Sequence, residues 1–375
     1  METELGKIAV TPMASVAPGR RPGEPAPIDS PDSSTAVSSG VTGIVFLLLL
    51  GLLATVLVSL SVGAIHVPIG AMLSSLLQRH PLTETQHTIL FAIRLPRVLA
   101  SALVGAALAV SGLMFQGLFR NPMADPYIIG ASGGAAFGAC VGIVFLSQYA
   151  IFGFSATALL AFAGSVITMA IVYSLARTHG RTNGVTLLLA GFAVGTMLAN
   201  SIYLFEIFDP NSTSGTRVVA AWLHGTIGIP EWKQVAILSC LFALSVLAAY
   251  PLMRRLNTLA LGDEYAHQLG IRVEATRVWI ILVGSLFTAI AVSLGGLISF
   301  AGLIVPHVAR LWLGPDHVRL LPVTAIAGAI FLVITDTLAR TLLAPSEVPV
   351  GILMVFVGGP FFLYLLRKNK REYVL

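Results

Sequence analysis

Residues 98–119 read VLASALVGAALAVSGLMFQGLF, a run with no charged side chain held between Arg97 and Arg120. A helix rises 1.5 Å per residue, so this run reaches about 33 Å and can cross a hydrocarbon core roughly 30 Å thick. The same test passes repeatedly along the chain. Residues 41–65, 126–176, 182–205, 234–253, 278–309, 320–335 and 348–366 are also free of Asp, Glu, Lys and Arg. Dividing the two longest runs around 147–154 and at Leu294-Gly295-Gly296 predicts ten helices. Their spans are 41–64, 97–119, 127–146, 153–174, 185–205, 234–253, 276–294, 297–312, 320–343 and 348–366.

Composition agrees. Of 375 residues, 56% are hydrophobic and 10% charged, with a mean hydropathy of +0.89. A water-soluble domain of this length needs a charged exterior that this chain lacks, so lipid is the solvent of its surface. Alternating apolar and polar strands are absent, which argues against a membrane barrel. The chain reads as an all-α integral membrane protein with ten transmembrane helices.

An even number of crossings places both termini on one side. Leaving out the N-terminal tail, that side carries thirteen Lys and Arg residues against six on the other. By the positive-inside rule both termini are cytoplasmic, and the formal charge of +5 reports topology rather than nucleic-acid binding. Residues 1–40, rich in Pro, Ser, Ala and Gly, bury too little to offset ordering, so a disordered cytoplasmic tail is expected ahead of a 41–370 permease domain. Cys140 and Cys240 fall in predicted helices and read as small apolar residues.

Two patterns point to transport. Gly130, Gly134, Gly138 and Gly142, echoed by Gly191 and Gly195, repeat at one-turn spacing and mark close helix seams. Helix breakers stand at membrane depth or its edge: Asn121-Pro122, Asp125-Pro126, Gly295-Gly296, Pro306 and Gly358-Gly359-Pro360. Broken helices survive there when buried in protein or facing a cavity, as in many transporters. A kinked structural helix leaves the same trace.

Energy coupling reads as external. No stretch matches the phosphate-binding pattern G-x-x-x-x-G-K-[ST], so no ATP site, catalytic residue or metal site is assigned to this chain. Glu206 and Asp336 lie toward outer helix ends, whereas a proton-driven or sodium-driven carrier places ionisable groups near the bilayer centre. The cytoplasmic loop 254–277, RRLNTLALGDEYAHQLGIRVEATR, has room for two short amphipathic helices separated near Gly270. Such a loop can press into a soluble partner or serve as a solvated connector.

Five segments carry a family resemblance in order. They are RLPRVLASALVGAALAVSGLMFQGLFRNPMADPYIIGASGGAAFGA at 94–139, LNTLALGDEYAHQLG at 256–270, GGLISFAGLIVPHVARLWLG at 295–314, DHVRLLP at 316–322, and EVPVG at 347–351 with GGPFF at 358–362. Together they resemble the ABC-importer permeases that bring in iron siderophores, haem and vitamin B12. The resemblance implies a BtuC-like (type II importer) permease fold in the bacterial inner membrane. It further implies a homodimer served by two cytoplasmic ATPase subunits that bind the ATP, and one periplasmic binding protein. It implies a path lined mainly by the fifth and tenth helices, aided by the third and eighth. It assigns Arg94, Arg97 and Arg340 to docking carboxylates of the binding protein, a task that suits a planar guanidinium. Anchoring at lipid headgroups is the other reading of these arginines. It assigns 256–270 to ATPase contact, with Gly262, Glu264, Ala266 and Gly270 as the chosen positions.

Substrate identity rests on local chemistry. In GTRVVAAWLHGTIG at 215–228, His224 stands where the family usually carries an apolar residue. Imidazole can ligate haem iron, and Arg217, about two helical turns earlier, can attract a propionate. A backbone-capped histidine and a headgroup contact are the plainer readings. The expectation is transient contact with haem or another iron chelate, with no permanently bound cofactor. A siderophore or vitamin B12 permease, a proton-coupled carrier and an assembly or signalling membrane protein are the alternatives.

Overall fold

The computed structural model describes residues 32–368, other than 64, 66, 77–81, 147, 152, 179–180, 183, 209–218 and 220–221. Its helices in chain order are α1 Asp32–Ser61, α2 Ile69–Leu76, α3 Glu84–Thr88, α4 Leu95–Phe119, α5 Ser132–Leu146, α6 Ala156–Ala176 and α7 Gly184–Phe208. They continue as α8 Trp232–Ala260, α9 Asp263–Gln268, α10 Val273–Gly295, α11 Ala301–Leu313, α12 His317–Thr341 and α13 Val350–Lys368. Wider π-helical turns at Ile89–Arg94 and Tyr127–Ala131 lead into α4 and α5. Two-residue hairpins join α5 to α6 (β1 Ala150–Ile151 with β2 Phe154–Ser155) and α6 to α7 (β3 Arg177–Thr178 with β4 Arg181–Thr182).

The chain divides into residues 1–42 and 43–375, and the account below concerns the second unit. Residues 1–31 of the expected disordered tail lie outside the described residues, while 32–40 are helical. By length and composition six described helices can cross a membrane, and shorter apolar helical stretches at 132–146, 185–201, 301–313 and 350–365 bring the number to ten. The ten-helix, BtuC-like fold holds.

Helix α4 is the axis of the unit and touches α8, α10, α11 and α12. Its small residues explain how. A Cβ on Gly105 would overlap the Gly328 carbonyl of α12, and one on Gly112 would overlap the Gly302 carbonyl of α11. Where lipid is the alternative solvent, such bare backbone surfaces let dispersion contacts hold helices together. Leu108, Leu113, Met114 and Phe115 of α4 are fully buried with Phe287 and Ile290 of α10. Helix α1 instead turns Phe46, Leu47, Leu50 and Leu53 outward, as suits a lipid-facing rod.

The glycine seams are real and two-sided. Gly134, Gly138 and Gly142 of α5 face Gly164, Leu160 and Thr157 of α6, whereas Gly130 and Gly133 meet Gly191 and Gly195 of α7. Gly130 has φ 90°, a non-helical angle that kinks the chain at the end of the π-helical turn and that a side chain resists.

Three boundaries differ from expectation. The eighth span, expected at 297–312, begins only at Ala301, because residues 296–300 are an unwound segment ending in left-handed Phe300. Gly302 packs against Leu108 and Pro126, so α11 starts about half-way along α4. Its loop is held by the other break: the Ile298 N–H donates to the Tyr127 hydroxyl at 3.3 Å, and the Asp125 carboxylate accepts from the N–H groups of Tyr127 (2.8 Å) and Phe300. The sixth helix passes through Pro251 and runs to Ala260 rather than stopping near 253. Consequently the loop expected to hold two short helices holds one, α9, and its last residues are already the first turn of α10.

Candidate functional site

Three places meet the chemistry expected of a transporter, one at each end and one between. At the end expected to face outward, the π-helical turn aims Arg94 across the chain, where its guanidinium donates to the carbonyls of Leu60 (2.6 Å), Ser61 (3.3 Å) and Ile65. The first two end α1 and the third lies in the loop after it, so Arg94 helps to cap that helix and pins the chain that follows. Arg97 reaches Asp336 through Nε at 3.2 Å and Nη2 at 3.0 Å, and Glu347 through Nη1 at 2.9 Å. Arg340 meets the other Asp336 oxygen at 3.2 Å and binds the Ser59 hydroxyl at 2.9 Å. Asp336 is 0% exposed, so a buried anion serves two buried cations.

The three expected docking arginines therefore stand together, lining a cavity of 220 Å³ with Glu347 and Pro345. All three side chains are buried and already engaged by partners within the chain, which the sequence did not reveal.

Between the ends lies a 440 Å³ cavity lined by Tyr127, Ser132, Phe192, Thr196, Asn200 and Leu297. Thr196 and Asn200 stand one turn apart on α7, each bonding back to that helix: Thr196 Oγ1 to the Phe192 carbonyl at 2.7 Å, and Asn200 Nδ2 to the Thr196 carbonyl at 2.8 Å. Among the described residues the lining is mildly polar and carries no charged side chain. Sequence inspection missed these two; polar residues spaced i, i+4 in an otherwise apolar helix are the signal that finds them.

His224 lies beside this region. Its side chain is exposed, and its carbonyl abuts Gly351 at the start of α13. In the same turn the Gly351 N–H donates to the Gly225 carbonyl at 3.1 Å. Arg217 lies outside the described residues.

At the end expected to face the cytoplasm, Gly262 (φ 121°) opens α9 and Gly270 (φ 80°) closes it, each supplying a backbone angle that side chains resist. Glu264 is exposed in the first turn. Ala266 is 0% exposed within the core of the subunit, so it anchors the helix and presents nothing outward. The outward apolar surface is Leu261, Tyr265 and Leu269, one turn apart and each about two-thirds exposed.

Helix α9 is braced from two sides. Asp263 receives Arg120, from the end of α4, at 2.9 Å and Arg277 of α10 at 2.6 Å. Arg120 also holds the Leu259 carbonyl. Just before α9, Asn257 donates to Asp316 at 2.7 Å and accepts from the His317 backbone at 2.9 Å, tying α8 to α12.

Comparison with known proteins agrees with this layout. The FecCD transport family matches residues 38–368. A cobalamin import system permease protein of Halobacterium salinarum is 46% identical over 289 residues, 76% of this chain and 75% of that protein. A hemin transport system permease protein of Yersinia pestis is 37% identical over 328 residues, 87% of this chain and 97% of that protein. Among solved structures, an inward-facing metal-chelate type ABC transporter superposes with a TM-score of 0.76 at 29% identity, covering 87% of this chain and 99% of the other. With the match running from the first apolar helix to the last, this chain belongs to the FecCD transport family.

Proposed function

We propose that this chain is the membrane-spanning subunit of an ABC importer whose cargo is a large metal chelate of the tetrapyrrole class, haem first among them. The observation that carries the reading is the family match over residues 38–368, supported by a cavity at the middle helices, an arginine and carboxylate cluster at one end and a braced helix with an exposed apolar face at the other. The assembly is two copies of this chain, two ATPase subunits pressed on Leu261, Tyr265 and Leu269, and one binding protein presenting carboxylates to the Arg97 cluster. Both termini face the cytoplasm of the bacterial inner membrane, following the distribution of Lys and Arg.

His224 supports haem, because its exposed imidazole stands at the turn where α13 begins. With Arg217 it forms a transient gate contact, since a path that bound tightly would not release. The 46% identity to a cobalamin permease favours vitamin B12 as the second reading. Reconstitution with the partner subunits and uptake of haem and cobalamin separates the two. On the haem reading wild type takes up haem in preference to cobalamin, and His224→Ala and Arg217→Ala each slow it. Preferential uptake of cobalamin overturns haem, and ATP-independent uptake down a proton gradient overturns the importer reading altogether.

A further inference from the structure

We infer that Glu347 is a built-in stand-in for the docking partner's carboxylate: it occupies the outward edge of Arg97 and yields that edge when the partner's acidic side chain arrives. The inference rests on the docking role proposed above. It concerns what fills the cluster before docking.

A guanidinium offers two edges to carboxylates. Arg97 turns the Nε and Nη2 edge inward onto Asp336, which is buried and whose other oxygen forms an ion pair with Arg340. Its remaining nitrogen, Nη1, faces Glu347 at 2.9 and 3.1 Å. Glu347 is the only one of the five charged groups that reaches solvent substantially: its side chain is 45% exposed, against 8% for Arg97 and Arg340. It thus lies between the buried cation and the outer solution.

Charge and strength both favour exchange. Arg94, Arg97 and Arg340 supply three positive charges against the two negative charges of Asp336 and Glu347, so the 220 Å³ cavity they line still attracts an anion. A half-exposed pair is worth up to about 1 kcal/mol, and an incoming carboxylate that also excludes water can replace it. The backbone on either side is pinned, with the Ser346 N–H on the Leu343 carbonyl at 2.9 Å and the Val348 N–H on the Ala339 carbonyl at 3.0 Å. The Glu347 side chain can therefore swing away without unravelling its loop. Helix α13 begins three residues later, so the exchange takes place directly at the head of that helix.

The test titrates the transporter's own periplasmic binding protein onto the full complex in nanodiscs. Glu347→Gln and Glu347→Ala should each tighten binding about fivefold, the fold-change that matches loss of a competing contact of about 1 kcal/mol. Glu347→Asp, which keeps the charge, should stay within about twofold of wild type. In an Arg97→Gln background the Glu347 substitutions should have no effect, a dependence that a merely structural glutamate does not show. If Arg97→Gln itself leaves binding unchanged, the docking role fails and this inference falls with it. If Arg97→Gln weakens binding while Glu347→Gln and Glu347→Ala leave it unchanged or weaken it, the docking role stands and the stand-in is overturned.

Discussion

Replacing Asp336 with Asn changes one oxygen for nitrogen and leaves shape intact, so its effect isolates charge. The aspartate is fully buried and is the shared partner of Arg97 and Arg340, both with side chains only 8% exposed. After the change Arg97 retains its ion pair with Glu347 at the rim, while Arg340 keeps hydrogen bonds only to neutral groups such as the Ser59 hydroxyl, with Glu347 a more distant attraction. Removing one member of a buried ion pair costs about 3–5 kcal/mol, because the charge left behind stays desolvated. At roughly 2 °C per kcal/mol for a large chain, the apparent melting temperature of the purified protein should fall by about 6–10 °C. Glu347→Gln removes a carboxylate from the same arginine but at the rim, and should lower it by about 2 °C or less. Adding Arg340→Leu to Asp336→Asn restores the net charge of the cluster and should recover part of the loss. Thermal unfolding followed by size-exclusion chromatography in detergent reads all three. An Asp336→Asn protein melting with wild type, or no more easily than Glu347→Gln, refutes the claim that burial sets the strength of this network.

Asp263→Asn removes the carboxylate that joins α9 to Arg120 and Arg277, and should lower substrate imported per ATP hydrolysed while the ATPase subunit still binds; an unchanged ratio in proteoliposomes refutes the brace. Changing Leu261, Tyr265 and Leu269 together to Ser should weaken association with the ATPase more than about tenfold, since buried apolar anchors dominate interfaces. Pull-down at matched expression decides it. Gly138→Leu should sharply reduce folded yield, because any Cβ there overlaps the Leu160 carbonyl of α6, while the same change at Gly359, where a Cβ meets nothing, should be tolerated. Arg94→Glu should lower folded yield as well as transport, because it uncaps α1; a fully stable but transport-dead Arg94→Glu would reassign that residue to docking alone.

Most of the fold was legible because lipid imposes a simple rule: an uncharged run of sufficient length becomes a helix, and eight such runs, two of them long enough to divide, gave ten helices. The seams at Gly134, Gly138 and Gly142 followed from spacing for the same reason. What the rule misses is depth. Residues 297–300 are as apolar as the helix after them, yet they unwind because side chains 170 residues earlier satisfy their backbone, a long-range fact that no window contains. Arg94, Arg97 and Arg340, which the resemblance assigns to docking, line one cavity, but their internal partners depend on which way each side chain points. On α9 the small size of Ala266 goes with close packing inward, while the exposed apolar surface belongs to its bulkier neighbours Leu261, Tyr265 and Leu269, a difference of face that size alone does not give.

The paired interruptions ahead of α5 and α11 carry a mechanical consequence. The first supplies what the second lacks: Tyr127 and Asp125 accept from the amides of 298 and 300, and without them those amides would stay unpaired at several kcal/mol apiece. Neither bend can straighten or drift alone. A conduit that rocks open must carry both as one rigid elbow, so its hinges belong elsewhere, where backbone amides stay satisfied throughout the swing.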